Sequence, residues 1–274
     1  MGRDNLASVR GVLFALQDMH YVSGRCVLTE ITSGTTSKVF FIDDFDKKFI
    51  LKFNPPLSIQ SESQFLKRYQ QIEVFPECIT TDETTYILME HMKGSMLYEQ
   101  YSKLKILDKI NFMNQYEYCD SRVGYINDLK PDFKIFLKDE LALERLVIDD
   151  YYDSEALFDA LDTVALPEEA PKYVHGDFGY HNFILQKEVL SVIDPTPMQN
   201  FILYELLFLY CSSPYDINEE TLRAYYNYYL KFSWIEYKEF LIYARIIMAL
   251  RLSTSTRHHP KDTAQYVALL NELF

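Results

Sequence analysis

The sequence predicts an α+β chain in two parts, an antiparallel sheet followed by a mainly helical region. Short runs of β-branched and aromatic residues are concentrated before about residue 90, and apolar residues recur at helical spacing after Gly94. The length of 274 residues corresponds to one or two domains at roughly 150 residues each. We therefore expect an N-terminal lobe over 1–92 and a C-terminal lobe over 93–274.

The N-terminal lobe is predicted to be an antiparallel meander interrupted by one helix. A first helix begins at Asp4 or Asn5, which can cap it, and ends near His20. Turn-like residues separate the first three strand-like runs. The interrupting helix covers about 59–71 and has an approximate apolar face. The predicted strands are 26–32, 38–42, 48–53 and 85–90.

The region after Gly94 is predicted to contain seven helices and one short hairpin. The hairpin strands are 182–185 and 189–193, in the middle of the helical region. Strands that come first and helices that come later are typical of an α+β chain. The predicted helices are 96–116, 131–147, 154–162, 200–211, 218–231, 234–252 and 262–272.

The composition is that of a folded, acidic protein. Apolar residues make up 48% of the chain and the net charge is −13. A chain of this length buries about 75% of its unfolded surface, so intrinsic disorder is not expected. Glu205 and Arg245 interrupt the longest apolar stretches, which are shorter than the ~20 residues of a membrane span. The N-terminus shows no secretory signal, and we expect a cytoplasmic protein.

The cysteines and the charge exclude further classes of protein. The four cysteines stand singly, without the spacing of a zinc site or the density of a disulfide scaffold, so we expect reduced packing residues. An acidic surface repels nucleic acid and favours a cationic ligand. We therefore expect a small cationic, hydroxylated partner, no nucleic acid, no membrane, and a monomer or weak dimer.

The stretch from Tyr173 to Pro195 carries the strongest chemical signal. Asp177 and Asn182 are five residues apart across a loop, and Asn182 and Asp194 lie at the two ends of the predicted hairpin. Amide and carboxylate oxygens are ligands that suit Mg²⁺. A further carboxylate just outside the pair of Asn182 and Asp194, such as Asp177, can orient a hydroxyl and accept its proton. The spacing therefore indicates phosphoryl transfer.

These residues resemble the catalytic loop of the aminoglycoside phosphotransferases and related small-molecule kinases, which share the protein-kinase fold. That loop reads H-R-D-x-x-x-x-N and is followed by a metal-binding Asp. This chain has His175-Gly176-Asp177, then Asn182 and Asp194. The resemblance implies a two-lobed kinase-like fold, Asp177 as catalytic base, Asn182 and Asp194 as Mg²⁺ ligands, and His175 as a residue that orders the loop.

The first lobe supplies candidates for the nucleotide site. The resemblance implies that Lys52, on the third strand, binds the α- and β-phosphates of ATP or GTP. Glu62, ten residues later on the predicted helix, can pair with Lys52. Glu73 is the alternative partner.

Two further segments are implied to touch the nucleotide. The turn before the second strand holds one glycine, where protein kinases have three, and its phosphate contacts would come from Gly34, Thr36 and Ser37. After the last strand of the lobe, the family would use the Glu90 carbonyl and the Met92 amide to bind adenine.

The acceptor side is predicted from charge. Residues 139–169 contain eleven acids and one base, just before the catalytic loop. Such a segment would concentrate a polycationic sugar, with Asp149, Asp150 and Asp153 as candidate contacts. A solvated helical face is the alternative. The resemblance also implies a drug contact for the terminal carboxylate of Phe274.

The favoured function is phosphorylation of an aminoglycoside antibiotic by ATP or GTP with Mg²⁺, which would make the protein a resistance enzyme. A kinase for choline, a modified sugar or an amino alcohol would share every catalytic residue. A non-catalytic nucleotide-binding regulator is a further alternative. His175, Asp177 and His181 could instead bind the transition metal of a hydrolase, and Asp177, Asn182 and Asp194 could simply cap turns.

Overall fold

The structure is a computed structural model that describes residues 3–31 and 37–273, with side chains described from Val9 onward in the first helix. Residues 1, 2, 32–36 and 274 lie outside it. The chain divides into two compact units, Met1–Lys93 and Gly94–Phe274. We call them the sheet unit and the helical unit.

The sheet unit contains one antiparallel sheet of five strands in the order β1-β2-β3-β5-β4. The meander and the interrupting helix are confirmed, whereas β4 was not predicted. The elements are α1 (Arg3–Asp18), β1 (Val27–Ile31), β2 (Lys38–Asp44), β3 (Lys47–Phe53), α2 (Pro56–Arg68), β4 (Cys78–Thr81) and β5 (Tyr86–Glu90).

Residues of α1 and one face of the sheet form the core of this unit. Leu16 of α1 is fully buried together with Ile42, Leu51 and Leu88 of the central strands. Side chains alternate between the two faces of a strand, so Leu51 and its neighbour Lys52 lie on opposite faces of β3. The position of Lys52 away from this core follows from the register of β3.

The helical unit combines seven helices with two small sheets in the described residues. The strands are β6 (Ser95–Met96), β7 (Val123–Tyr125), β8 (Asp128–Lys130), β9 (Lys172–Val174), β10 (Phe183–Gln186), β11 (Val189–Val192) and β12 (Met198–Asn200). One sheet has the order β11-β10-β6 and the other β8-β7-β12-β9, and all their pairs are antiparallel. The helices are α3 (Lys103–Leu107), α4 (Phe133–Asp149), α5 (Ser154–Thr163), α6 (Ile202–Cys211), α7 (Glu219–Tyr229), α8 (Tyr237–His258) and α9 (Thr263–Leu273).

Helix α8 is the centre of this unit and packs against α4, α5, α6 and α9. It is buried on several sides, which fits its mixture of apolar and small residues. The predicted helices from 131 onward are confirmed within a few residues at their ends, except that α8 extends six residues beyond its predicted end. The hairpin is confirmed as β10 and β11. None of the helices in the described ranges is long and apolar enough to cross a membrane.

The helix predicted over 96–116 is wrong. Only α3 and a short 3₁₀ turn, Asn111–Gln115, form there. At the start of the segment, Met96 pairs with Ile184 and the Leu97 amide donates to the Phe183 carbonyl, so the backbone joins a sheet. The strands β7, β8, β9 and β12 were also missed, because three-residue strands give no readable periodicity.

Candidate active site

In the sheet unit, Lys52 and Glu62 form a buried ion pair. The Lys52 Nζ donates to Glu62 Oε2 at 2.7 Å, and the two residues are 5% and 2% exposed. The pairing that the ten-residue spacing predicted is therefore present. A buried charge is tolerated only when it is paired, so each residue fixes the position of the other.

The elements that carry this pair are rigid. Lys52 lies in the middle strand of the sheet, opposite Val39 on one side and Ile87 on the other. Glu62 is in the second turn of α2, whose first residue is Pro56, a residue that favours the start of a helix. The lysine ammonium is thus held on the sheet face opposite the apolar core.

The other predicted nucleotide contacts of this unit lie near the strand ends. Ser37 directly precedes β2 and is half-buried, while Gly34 and Thr36 lie outside the described residues. Glu90 ends β5, and its amide donates to the Glu77 carbonyl at 2.9 Å. Met92 follows in irregular structure and is half-buried.

In the helical unit, the loop between β9 and β10 places Asp177 among hydrogen-bond donors. Asn182 Nδ2 donates to the Asp177 Oδ2 and to its carbonyl oxygen, both at 2.9 Å. His181 Nε2 lies 3.1 Å from the same Oδ2. Burial acts to raise the pKa of Asp177, but the His181 hydrogen bond and nearby positive charge outweigh it and lower the pKa to about 2. The carboxyl group is therefore ionised at neutral pH.

The backbone conformation at Gly176 explains why a glycine precedes Asp177. The φ of Gly176 is +83°, and a Cβ at this position would lie 2.0 Å from the Thr196 carbonyl oxygen. No L side chain fits there, because the conformation is left-handed and the space is filled by backbone. The loop can approach the segment after β11 only with a glycine at this position.

His175 joins the same two segments. It is fully buried, and its Nε2 donates to the Ile193 carbonyl at 3.0 Å. The Thr196 amide donates back to the His175 carbonyl at 2.9 Å. Burial lowers the pKa of His175 to about 4, so the ring is neutral at pH 7. These contacts are those of a residue that orders the loop.

Asn182 and Asp194 lie at adjacent positions across the hairpin. The Ile193 amide donates to the Asn182 carbonyl at 2.9 Å, which places Asp194 one residue beyond this hydrogen bond. Both Asn182 amide protons face Asp177, so its Oδ1 is the atom left to bind a cation. Asp194 has a φ of +59°. Backbone of this kind is uncommon outside glycine and is concentrated at functional sites.

Glu205 contacts this loop from α6 and was not predicted as a site residue from the sequence. It is fully buried in α6 and accepts a hydrogen bond from the Gly176 amide at 2.9 Å. Burial raises its pKa to about 8, so the carboxyl group is mostly protonated at neutral pH. An isolated acid inside the apolar run ILYELLFLYC was the available signal.

A cavity of about 290 Å³ opens beside Asp177, entirely within the helical unit. Its charged walls are Asp177, Glu140 and Glu144 of α4, and Arg251 of α8. Burial, followed by the nearby charges of Glu144 and Asp139, raises the pKa of Glu140 to about 6. Glu144 is already occupied, since both its oxygens accept from Arg257, at 2.7 and 2.8 Å.

Comparison with solved structures identifies the fold. A thermostable mutant of aminoglycoside phosphotransferase APH(4)-Ia, in ternary complex with AMP-PNP and hygromycin B, superposes with a TM-score of 0.61 at 17% identity, over 94% of this chain and 95% of that one. A Haemophilus somnus protein assigned as a fructosamine-3-kinase gives 0.63 at 14%, over 93% and 95%. A Ralstonia eutropha protein assigned as an aminoglycoside phosphotransferase gives 0.64 at 12%, over 95% and 96%.

The chain has the fold of these small-molecule kinases. The fold class predicted from the sequence, with its sheet part and its helical part, is therefore confirmed. No protein-family model and no curated protein matches the sequence. The likeness is one of structure, because identities of 12–17% lie below the level at which function can be carried over.

Within this kinase-like fold, the acids predicted to bind the acceptor have other contacts. Asp149 Oδ2 lies 3.4 Å from Arg145 Nε, and Asp153 caps α5 by accepting from the Ala156 amide at 3.3 Å. Asp150 is exposed after the end of α4. None of the three lines the cavity beside Asp177, whose acidic walls come from earlier turns of α4. Phe274 lies outside the described residues.

Proposed function

We propose that this protein is a phosphotransferase that moves the γ-phosphoryl group of ATP or GTP to a hydroxyl of a small molecule. The observation that carries the proposal is the environment of Asp177: an ionised carboxylate, fixed by Asn182 and His181, forms part of the wall of a cavity. An acceptor hydroxyl in that cavity would donate its hydrogen bond to Asp177.

Asp177 would act mainly by orientation. A carboxylate with a pKa of about 2 is a weak base. Transfer of a phosphoryl group passes through a loose transition state, in which the hydroxyl proton can leave late, so a weak base is sufficient. Its first task is to align the oxygen with the phosphorus.

Asn182 and Asp194 are proposed as the Mg²⁺ ligands. The test of fit is the donor set: a carbonyl Oδ1 turned away from Asp177, and an exposed carboxylate on left-handed backbone. Mg²⁺ prefers hard oxygen ligands and needs only one or two from the protein besides phosphates and water. The ion, when bound, would neutralise charge on the phosphates.

The sheet unit would hold the nucleotide. The buried Lys52, fixed by Glu62 at 2.7 Å, is proposed to bind the α- and β-phosphates. Ser37, which directly precedes β2, is proposed to contact the phosphates. Gly34 and Thr36, outside the described residues, are proposed to do the same. We assign adenine binding to the Glu90 carbonyl and the Met92 amide.

The acceptor is proposed to be a hydroxylated cation, because Glu140 is an acid near Asp177. Aminoglycosides are the first candidate. A sugar amine of the ketosamine type is the second, because a cavity of about 290 Å³ is small compared with the roughly 300–1,000 Å³ of sites for drug-sized ligands. A single sugar ring fits this volume better than several.

The test is an ADP- and GDP-release assay with Mg²⁺ on aminoglycosides, ketosamines, choline and amino alcohols. Acceptor-dependent release that stops with EDTA would support the proposal, and the acceptor with the highest kcat/KM would identify the substrate. Asp194→Ala should abolish the Mg²⁺-dependent turnover, and normal turnover by this variant would refute the metal assignment. Tight ATP binding without turnover on any acceptor would instead favour a nucleotide-binding regulator.

A further inference from the structure

Arg251 is a buried arginine in the wall of the cavity beside Asp177. It is 8% exposed and lies on α8, on the same helical face as Ile247, Leu250 and Thr254, which also line the cavity. Its Cζ lies 5.0 Å from the centre of the Phe208 ring, a cation–π contact. Such a contact helps to position the group without neutralising its charge.

Among the described residues, Arg251 has no carboxylate within ion-pair distance and its Nε makes no hydrogen bond. The guanidinium does form a hydrogen bond with the Tyr266 side chain, and its charge also favours the ionised form of Asp177. Four exposed arginines of the helical unit are paired, whereas the half-buried Arg245, also on α8, contacts the Tyr152 ring and has no carboxylate partner among the described residues. Arg122, Arg145, Arg223 and Arg257 each contact a carboxylate. Burial of a charge without a close counter-ion is costly, so a buried guanidinium that lines a cavity and has no ion pair is suited to an anionic ligand.

The cavity also limits the kind of anion. Asp177, Glu140 and Glu144 share its wall with Arg251, so the lining carries more negative than positive charge. A ligand with a net negative charge would be repelled, whereas one with an ammonium and a single carboxylate would be attracted at both ends. Guanidinium and carboxylate also match in geometry, because they form two parallel hydrogen bonds.

We propose that the acceptor hydroxyl belongs to a zwitterion, a small molecule whose carboxylate binds Arg251 and whose ammonium lies toward Glu140. This inference rests on the proposed phosphotransfer and specifies its substrate class, in which aminoglycosides are not included because they carry no carboxylate. Arg251 is then a specificity-determining residue: it selects hydroxylated amino acids or sugar–amino acid conjugates over simple amines.

The test compares two acceptors that differ only in the carboxylate: N-fructosyl-glycine and N-fructosyl-glycinamide. The wild-type protein should use or bind the acid at least about 10-fold better than the amide. Arg251→Gln should reduce this ratio to about one by raising KM for the acid more than KM for the amide. Arg251→Lys should retain part of the preference. Arg245→Gln, on the same helix and outside the cavity, is the matched control and should keep it.

Binding is measured separately by calorimetry without nucleotide, so that the two proposals can fail separately. If neither compound is phosphorylated but the acid binds at least 10-fold more tightly than the amide, and Arg251→Gln removes that difference, the zwitterion site stands and phosphotransfer to these acceptors fails. Equal affinity of wild-type protein for acid and amide overturns the inference. So does an Arg251→Lys or Arg251→Gln variant that is folded and lowers kcat equally on both, which would place the guanidinium on the transferred phosphoryl group.

Discussion

In the sheet unit, Lys52 and Glu62 come from a strand and a helix and neutralise each other at 2.7 Å. In the helical unit, Glu205 and Lys103 are fully buried but are held by backbone groups. Glu205 accepts from the Gly176 amide, and Lys103 donates to the carbonyls of Tyr210 and Ser213 at 2.6 and 3.1 Å.

The ion pair and the buried side chains that bind backbone groups differ in what they hold in place. An ion pair between side chains positions the two charges themselves, and here it presents an ammonium group. A buried side chain bound to backbone positions the loop that it contacts, and here Glu205 supports the loop of Asp177. The Lys52–Glu62 pair should therefore be destabilised when one of its two charges is removed. The support that Glu205 gives to its loop should instead depend on whether the Glu205 carboxyl group is protonated.

Asp177→Asn should give the largest effect, a loss of about 10² to 10⁴ in kcat/KM with the fold intact. The backbone contacts of the loop remain, since Glu205 and His175 hold it, so the melting temperature should change by only a few degrees. Steady-state kinetics and thermal unfolding measure the two quantities. Asp159→Asn, an exposed acid of α5, is the control. A variant with more than a tenth of wild-type activity would contradict the assignment.

Separating Lys52 from Glu62 should give the next largest effect. Lys52→Met leaves a buried carboxylate without this partner and should lower the free energy of unfolding by about 3 to 5 kcal/mol, measured in urea. The double variant Lys52→Met/Glu62→Leu should regain most of that stability and remain inactive.

The exposed pair Lys67–Glu83 of the same unit, at 2.9 Å, is the matched control for this experiment. Lys67→Met should change stability by less than about 1 kcal/mol, because water already solvates both charges. If the double variant were no more stable than Lys52→Met, burial of the pair would not explain the loss. Catalytic turnover by the double variant would argue against a phosphate-binding lysine.

The contrast also explains which parts could be predicted from the sequence. Lys52 and Glu62 could be predicted as a pair because a strand and a helix of ordinary length carry them. Asp177, Asn182 and Asp194 could be predicted as candidates because a short loop separates the first two and a hairpin separates the last two. Glu205 and Arg251 contact residues distant in sequence, and no local pattern reports such contacts. The helix predicted over 96–116 failed for the same reason, since pairing with β10 overrides the local periodicity.

Glu205→Gln should produce a smaller, pH-dependent effect. The pKa of Glu205 is about 8 in the folded protein and about 4.3 when unfolded. The folded state therefore binds more protons between these values, so this residue makes stability fall as pH rises from about 5 to 8. Glutamine cannot lose a proton, and the variant should lack on the order of 1 to 3 kcal/mol of this fall.

Urea unfolding at pH 5, 6.5 and 8 measures that change, and the exposed Glu220→Gln is the control. Glu169, whose pKa burial raises to about 7, contributes in the same pH range, so only the difference between wild type and Glu205→Gln is informative. Parallel pH curves for the two proteins would show that Glu205 does not titrate in this range.

The acids at the end of α4 should give the smallest effect. Asp149, Asp150 and Asp153 lie outside the cavity, so they can attract a cationic acceptor only through solvent, where salt screens charges beyond about 8 to 10 Å. The triple change to asparagine should raise KM for a cationic acceptor less than about 3-fold, and only at low salt. Asparagine also serves as a helix cap, so α5 should remain intact.

Glu140→Gln provides the contrast for that experiment, because Glu140 lines the cavity itself. A bound ammonium would lose its nearest charge there, and KM should rise about 10-fold at any salt concentration. If the triple variant had the larger effect, the acceptor would bind along the acidic segment and not beside Glu140. The relative size of the two effects therefore decides whether the charge that the sequence concentrates in 139–169 acts by contact or only at a distance.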